Sequence, residues 1–198
     1  MISHEHKCIF IHIPKTAGGS IERALTGYGW ALIQKNNIKV QHIDCIDTKS
    51  IYPNCFNDYY KFAFVRNPWD LIVSTYFWFQ ERNEVQVDFK YFIENIEDYN
   101  KQLMFLPHKY YASQQLNHLT DKDGNVMVDF IGRFEDLQKD FNQVCSAIGV
   151  HEEELPISNT TNHKHYTEYY DSETQGIVER FYEKDIEYFG YEFKENHL

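Results

Sequence analysis

The chain has 198 residues and a formal net charge of −11, from 30 acidic and 19 basic side chains. Its 17% aromatic content argues against disorder, and its length suits one domain, residues 1–198, with a sizeable core. An acidic surface gives no general attraction to nucleic acid or anionic membrane, so an anionic ligand has to be held by individual Lys and Arg side chains.

The four cysteines, Cys8, Cys45, Cys55 and Cys145, form no CxxC pair and no Cys/His metal spacing. They read as free, mostly buried thiols of a reducing compartment, with a Cys45–Cys55 pair left open. No signal peptide and no apolar run of membrane length stand out, so the expectation is a soluble cytoplasmic protein.

Residues 8–13 are a continuous apolar run with one histidine, suited to a strand buried on both faces. Residues 14–20 form a small-residue loop, and Ser20 is read as the N-cap of a helix over 20–25 that ends at Gly27-Tyr28-Gly29. Residues 30–34 suggest a short strand, Asn36-Asn37 a turn, 39–44 a third apolar–polar segment and 47–51 a helical turn or two before Pro53. Residues 62–65 are again an apolar strand. Asn67 then serves as N-cap and Pro68 as the first residue of a buried helix reaching residue 79.

Amphipathic helices are expected over 89–96 and 107–119, a turn at 121–125 and a strand over 126–132. A helix over 135–148 closed by Gly149, a polar loop over 159–166, a last helix over 172–188 and a tail docking at 190–193 complete the chain. Buried strands alternating with helices indicate an α/β fold, a mostly parallel central sheet flanked by helices on both faces. Ligands in such sheets bind beyond the carboxyl ends of the strands, where Lys15 and Arg66 both fall.

Lys15, Thr16, Ala17, Gly18, Gly19 and Ser20 combine a full positive charge, two hydroxyls and two glycines where a strand hands over to a helix. Unpaired N–H groups and the helix dipole favour an anion there, and glycine permits close backbone approach. The order is not that of the nucleotide-triphosphate loop, whose lysine follows the last glycine. Turn geometry and capping alone also account for such residues. Arg66, closing the second strand, offers a forked set of donors, and Ser74, eight residues on, adds a hydroxyl. The alternative for Arg66 is a pair with a carboxylate, and for Ser74 a small packing residue.

Taken together, the stretch His12-Ile13-Pro14-Lys15-Thr16-Ala17-Gly18-Gly19-Ser20 and the stretch from Phe62 through Arg66-Asn67-Pro68-Trp69-Asp70 to Ser74-Thr75-Tyr76 resemble the two nucleotide-binding signatures of the sulfotransferases. The resemblance is to the branch of Golgi carbohydrate sulfotransferases and their short bacterial relatives. Residues 130–137 and 185–191 are also similar to that branch, so the likeness spans nearly the whole chain. It implies a P-loop-like fold and transfer of a sulfuryl group from 3′-phosphoadenosine 5′-phosphosulfate (PAPS) to a hydroxyl, that of a carbohydrate, without a metal. The product nucleotide is adenosine 3′,5′-bisphosphate (PAP). Eukaryotic members of the branch are Golgi membrane proteins.

The resemblance assigns Lys15, Thr16, Ala17, Gly18, Gly19 and Ser20 to the 5′-phosphosulfate and Arg66 and Ser74 to the 3′-phosphate. Lys15 would also stabilise the leaving group. The branch often uses a histidine between the signatures as base; here that is His42, whose ordinary pKa of about 6.5 suits the task. His12 reads as a structural or supporting residue, and Glu22 and Asp44 as weaker rivals for the base. Asp44 has a second reading, orienting a histidine. Lys164 and Tyr166 lie where the family closes a loop over nucleotide or acceptor. Two alternatives stand beside transfer: a protein that binds PAP or PAPS without turnover, and a small-molecule kinase.

Overall fold

A computed structural model describes residues 1–35, 38–98, 113–156 and 163–194. The sequence-predicted turn at Asn36-Asn37, the first six residues of the helix over 107–119 and part of the loop over 159–166 lie outside the described residues; the described end of that helix holds only a single 3-10 turn, Leu116–His118, because the Gln115 and Leu116 amides are taken by Asp185 rather than by a helical ladder.

Five strands build the main sheet in the order β3-β1-β2-β6-β7: β1 (Ile2–Ser3), β2 (Cys8–Ile11), β3 (Trp30–Ala31), β6 (Tyr60–Val65) and β7 (Phe130–Arg133). The middle is parallel, with Phe10 opposite Phe62 and Ala63 opposite Ile131; β1 is antiparallel to both β2 and β3. The mostly parallel α/β sheet read from the sequence is therefore present, with an antiparallel edge. That edge was not legible, because β1 is two residues long within a polar stretch.

The predicted strand over 30–34 divides. Trp30–Ala31 joins the sheet, whereas β4 (Ile33–Lys35) pairs in a separate hairpin with β5 (Ile38–Val40). The strand expected over 126–132 is shorter, because residues 119–127 close a turn through a Thr120–Val126 bridge before the ladder starts at Phe130.

Alternation along β2 and β6 places Cys8, Phe10, Phe62 and Phe64 on one face. They pack with Ile21, Ala24 and Leu25 of helix α1 (Gly18–Leu25) and with Phe141, Val144, Cys145 and Ile148 of helix α5 (Leu137–Ile148). Phe10 and Phe62 stack at 5.1 Å, 17° from parallel. Burying one such ring contributes roughly 1.5–3 kcal/mol. Helix α5 ends at Gly149, φ 71°, as its sequence predicts.

Two compact units are distinguished, Met1–Val65 with Asn117–Asn159 and Arg66–Leu116 with Thr160–Leu198. The first holds the sheet, α1, α5 and α2 (Cys45–Ile51). Asp44 is the N-cap of α2, accepting from Asp47 N at 2.7 Å, so a carboxylate read as a weak rival base is a helix cap. The second unit holds α3 (Pro68–Asn83), α4 (Phe89–Glu94), α6 (Ser172–Phe181) and α7 (Glu183–Phe189). Asn67 caps α3 through Trp69 N and Asp70 N, with Pro68 in the first turn, as expected.

The single last helix predicted over 172–188 breaks at Tyr182, whose φ/ψ of −107°/21° leaves the helical region. The i−4 hydrogen bonds survive on either side, from Tyr182 N to Val178 O and from Ile186 N to Tyr182 O. The tail docks within this unit: Asn67 Nδ2 donates to Glu192 O, and Phe193 meets Trp69 edge-on at 5.5 Å.

All four cysteines are free, and burial pushes Cys8 and Cys45 up to about 12 and Cys145 to about 11, which keeps these thiols unreactive. Among the described residues no helix is long and apolar enough to cross a membrane.

Candidate active site

The first motif leaves the sheet where β2 ends. Pro14 has no N–H to offer a ladder, and the chain turns at once. Thr16, fully buried, donates its hydroxyl to Ile13 O at 2.8 Å and closes the loop on itself. Lys15 and Ala17 both adopt φ 65°, the left-handed region where a non-glycine residue costs about 1–2 kcal/mol.

The sequence places the cap on Ser20, and the structure corrects this. Ala17 is the N-cap, with no side-chain cap bond, and α1 begins at Gly18. Ser20 N already donates to Ala17 O at 2.9 Å. Gly18 has no positive φ. Its requirement is steric, since a Cβ there would sit 1.9 Å from Nε2 of His12.

His12 is the hub of a polar cluster inside the first unit. Only 4% exposed, it donates Nδ1–H to Glu22 Oε1 at 2.8 Å, since a carboxylate can only accept. Gln41 Nε2 donates to the other oxygen, Glu22 Oε2, at 2.7 Å. Burial pushes the Glu22 carboxyl up, but the hydrogen bonds and charge of His12, with Gln41, outweigh it and leave its pKa below the ordinary value. The His12 ring stacks on Phe10 at 5.5 Å and meets His42 edge-on at 4.5 Å.

His42, partly exposed, has Nδ1 3.2 Å from the backbone oxygen of His12. A carbonyl only accepts, so Nδ1 carries the proton and Nε2 is the basic nitrogen of neutral His42. His118 is the third imidazole of this neighbourhood. Burial, aided by the charge of His12, lowers it to about 4, so it stays neutral at physiological pH. Among the described residues no cluster of three or more His, Cys, Asp or Glu is arranged to hold a metal.

The second motif follows β6. Arg66, 7% exposed, directs Nε at Asp70 Oδ2, 2.7 Å away and one helical turn on. The carboxylate pair anticipated as the alternative reading of Arg66 thus exists and commits its Nε donor. Ser74, buried, lies a further turn along the same face of α3 as Asp70. Arg66 is also gripped through its backbone. Its N–H donates to Gln115 Oε1 and its C=O accepts from Gln115 Nε2, both at 2.8 Å.

Lys164 and Tyr166 belong to the same unit. Lys164 is exposed and pairs with Glu168 at 3.1 Å beside an open depression of about 430 Å³ lined by His163, Lys164, Glu168 and Tyr169. The Tyr166 hydroxyl is engaged with the backbone of Lys194, donating to its oxygen and accepting from its nitrogen.

Sequence reasoning missed Gln41, Gln115 and Asp185, and it ranked Glu22 only as a rival base. No local spacing links Glu22 to His12 or Gln115 to Arg66. The Arg66–Asp70 pair, at i,i+4 across a helix start, was readable.

A protein-family model described as "Sulfotransferase family" matches residues 1–192. An uncharacterised protein of Archaeoglobus fulgidus is 31% identical over 99 residues, which is 50% of this chain and 74% of that protein. A crystal structure of a sulfotransferase from Alicyclobacillus acidocaldarius aligns with 75% of this chain at 20% identity and a TM-score of 0.45; the chain spans 60% of that structure's length.

Proposed function

Because this chain belongs to the sulfotransferase family, matched over residues 1–192, we propose that it transfers a sulfuryl group from PAPS to an acceptor hydroxyl, that of a carbohydrate. The first motif takes the 5′-phosphosulfate. Its donor chemistry fits an anion: the Lys15 ammonium, and the N-terminal amides of α1 at Gly18 and Gly19, where the helix supplies no acceptor. The second motif takes the 3′-phosphate, through Arg66 and Ser74.

The observation that carries the chemistry is the 3.2 Å approach of His42 Nδ1 to the His12 carbonyl oxygen, from which the tautomer follows. With Nδ1–H committed to the His12 carbonyl, Nε2 accepts the acceptor's hydroxyl proton as its oxygen bonds to sulfur. The bond from sulfur to the bridging phosphate oxygen breaks in line, and the charge left on that oxygen is met by Lys15. The nucleophile's proton thus ends on His42, and the electron pair of the broken bond on PAP. The left-handed Lys15 and Ala17 hold the loop in a conformation that few sequences adopt, which suits a preorganised anion site.

Thermal shift with PAP is the direct test. PAP raises the melting temperature without a metal, whereas ATP–Mg does so weakly or not at all. Equal stabilisation by ATP–Mg with none by PAP would replace this reading with the kinase one. Stabilisation by PAP with no turnover on any acceptor would leave a binding protein.

A further inference from the structure

Strand β6 ends at Val65, and the peptide groups of the next residue, Arg66, are met by a side chain. The Gln115 carboxamide does that work. It accepts from Arg66 N and donates to Arg66 O, both at 2.8 Å, as a neighbouring strand would. Gln115 is 0% exposed. It is held in turn by Asp185 of α7, also 0% exposed, which accepts from Gln115 N at 2.7 Å and from Leu116 N at 2.9 Å. The nearby Gln114 ties the same turn to α6, donating from Nε2 to Phe181 O at 2.8 Å. These partners lie 49 and 70 residues apart in sequence and all belong to one unit.

Burying a carboxylate against two amides is a demanding arrangement, tolerated only when the geometry is specified. What it specifies is the position of one peptide, that of Arg66. The side chain of that residue is fixed independently by Asp70 at 2.7 Å. Backbone and guanidinium are thus set by separate partners, which is how a recognition group is preorganised on a short connection.

We infer that Gln115 and Asp185 are positioning residues for nucleotide recognition: acting in series through the Arg66 peptide, they aim its guanidinium at the nucleotide's 3′-phosphate. This rests on the proposed assignment of Arg66 to that phosphate. The consequence is selective. Loosening the clamp weakens ligands that carry a 3′-phosphate and leaves those without one unchanged.

The test measures affinity for PAP and for adenosine 5′-phosphate, which lacks the 3′-phosphate, in the wild type and in Gln115→Met, Asp185→Asn and Arg66→Ala. Weakening one charge-assisted contact to the phosphate is expected to lower PAP affinity about tenfold in Gln115→Met, with adenosine 5′-phosphate unchanged. Adding Gln115→Met to Arg66→Ala produces no further loss of PAP affinity. An equal loss for both nucleotides, or additive losses in the double variant, would make the clamp merely structural and overturn the inference. If Arg66→Ala itself leaves PAP affinity unchanged, the assignment of Arg66 fails first. Should the variants not fold, hydrogen exchange on the wild type decides. PAP slows exchange at the Arg66, Gln115 and Leu116 amides, whereas adenosine 5′-phosphate does not; indifference of all three amides to PAP refutes the clamp's role.

Discussion

Gly18→Ala isolates the packing that sets the first motif. A methyl group at this position would lie 1.9 Å from Nε2, 2.1 Å from Cδ2 and 2.5 Å from Cε1 of His12. The ring has no room to retreat: Phe10 stacks on it, His42 meets it edge-on at 4.5 Å, and Glu22 holds Nδ1 at 2.8 Å. Relieving the clash requires breaking the Glu22 bond or moving α1, and overpacking of this kind costs about 1–3 kcal/mol. For a chain of this size that is a fall in Tm of about 3–10 °C. Urea denaturation provides the free energy and the companion variant His12→Ala the control. Without the ring, Gly18→Ala should be neutral, or stabilising by about 0.5–1 kcal/mol, because alanine is the better helix residue. An equal penalty with and without the His12 ring would show that the glycine is needed for its backbone, and the reasoning would fail.

Three more outcomes are expected. His42→Ala lowers kcat about 100- to 10,000-fold while PAP affinity by calorimetry stays within about twofold, the signature of a lost base. Ala17→Gly relieves a left-handed alanine, so its unfolding free energy from urea denaturation stays level or rises by up to about 1 kcal/mol once the added freedom of the unfolded chain is counted. Burial raises Asp185 from 3.8 to about 6, so between those values the folded state binds more protons than the unfolded one. The stability of the wild type relative to Asp185→Asn therefore falls as pH rises from about 4 to about 6 and levels off above, which denaturation at stepped pH reads directly.

The fold was legible where burial dictates composition. The apolar runs that became β2 and β6 have few alternatives, and Asn67-Pro68 announces a helix start by local chemistry alone. What was not legible depends on partners distant in sequence. Nothing near residue 18 reveals that an imidazole six positions back occupies the space a Cβ would take, or that Lys15 and Ala17 carry the loop's left-handed turns. The end of β2 was overrun by two residues, because the run stays apolar to Ile13 while Pro14 and the bond from His42 to the His12 carbonyl belong to the loop.

The candidate residues divide in the same way. Lys15, Arg66 and Ser74 follow from charge and position, and His42 from resemblance. The partners Glu22 and Gln41 beside His12, and Gln115 and Asp185 behind Arg66, became visible only once the chain was folded.

The central claim is the donor and the group transferred. Incubating the protein with sulfur-labelled PAPS and a panel of carbohydrate hydroxyl acceptors, beside ATP–Mg labelled at its γ-phosphate, tests both at once. Label passing from PAPS to an acceptor with stoichiometric release of PAP, and no transfer from ATP–Mg, is the predicted result. Phosphoryl transfer from ATP–Mg to the same panel, with none from PAPS, would contradict it.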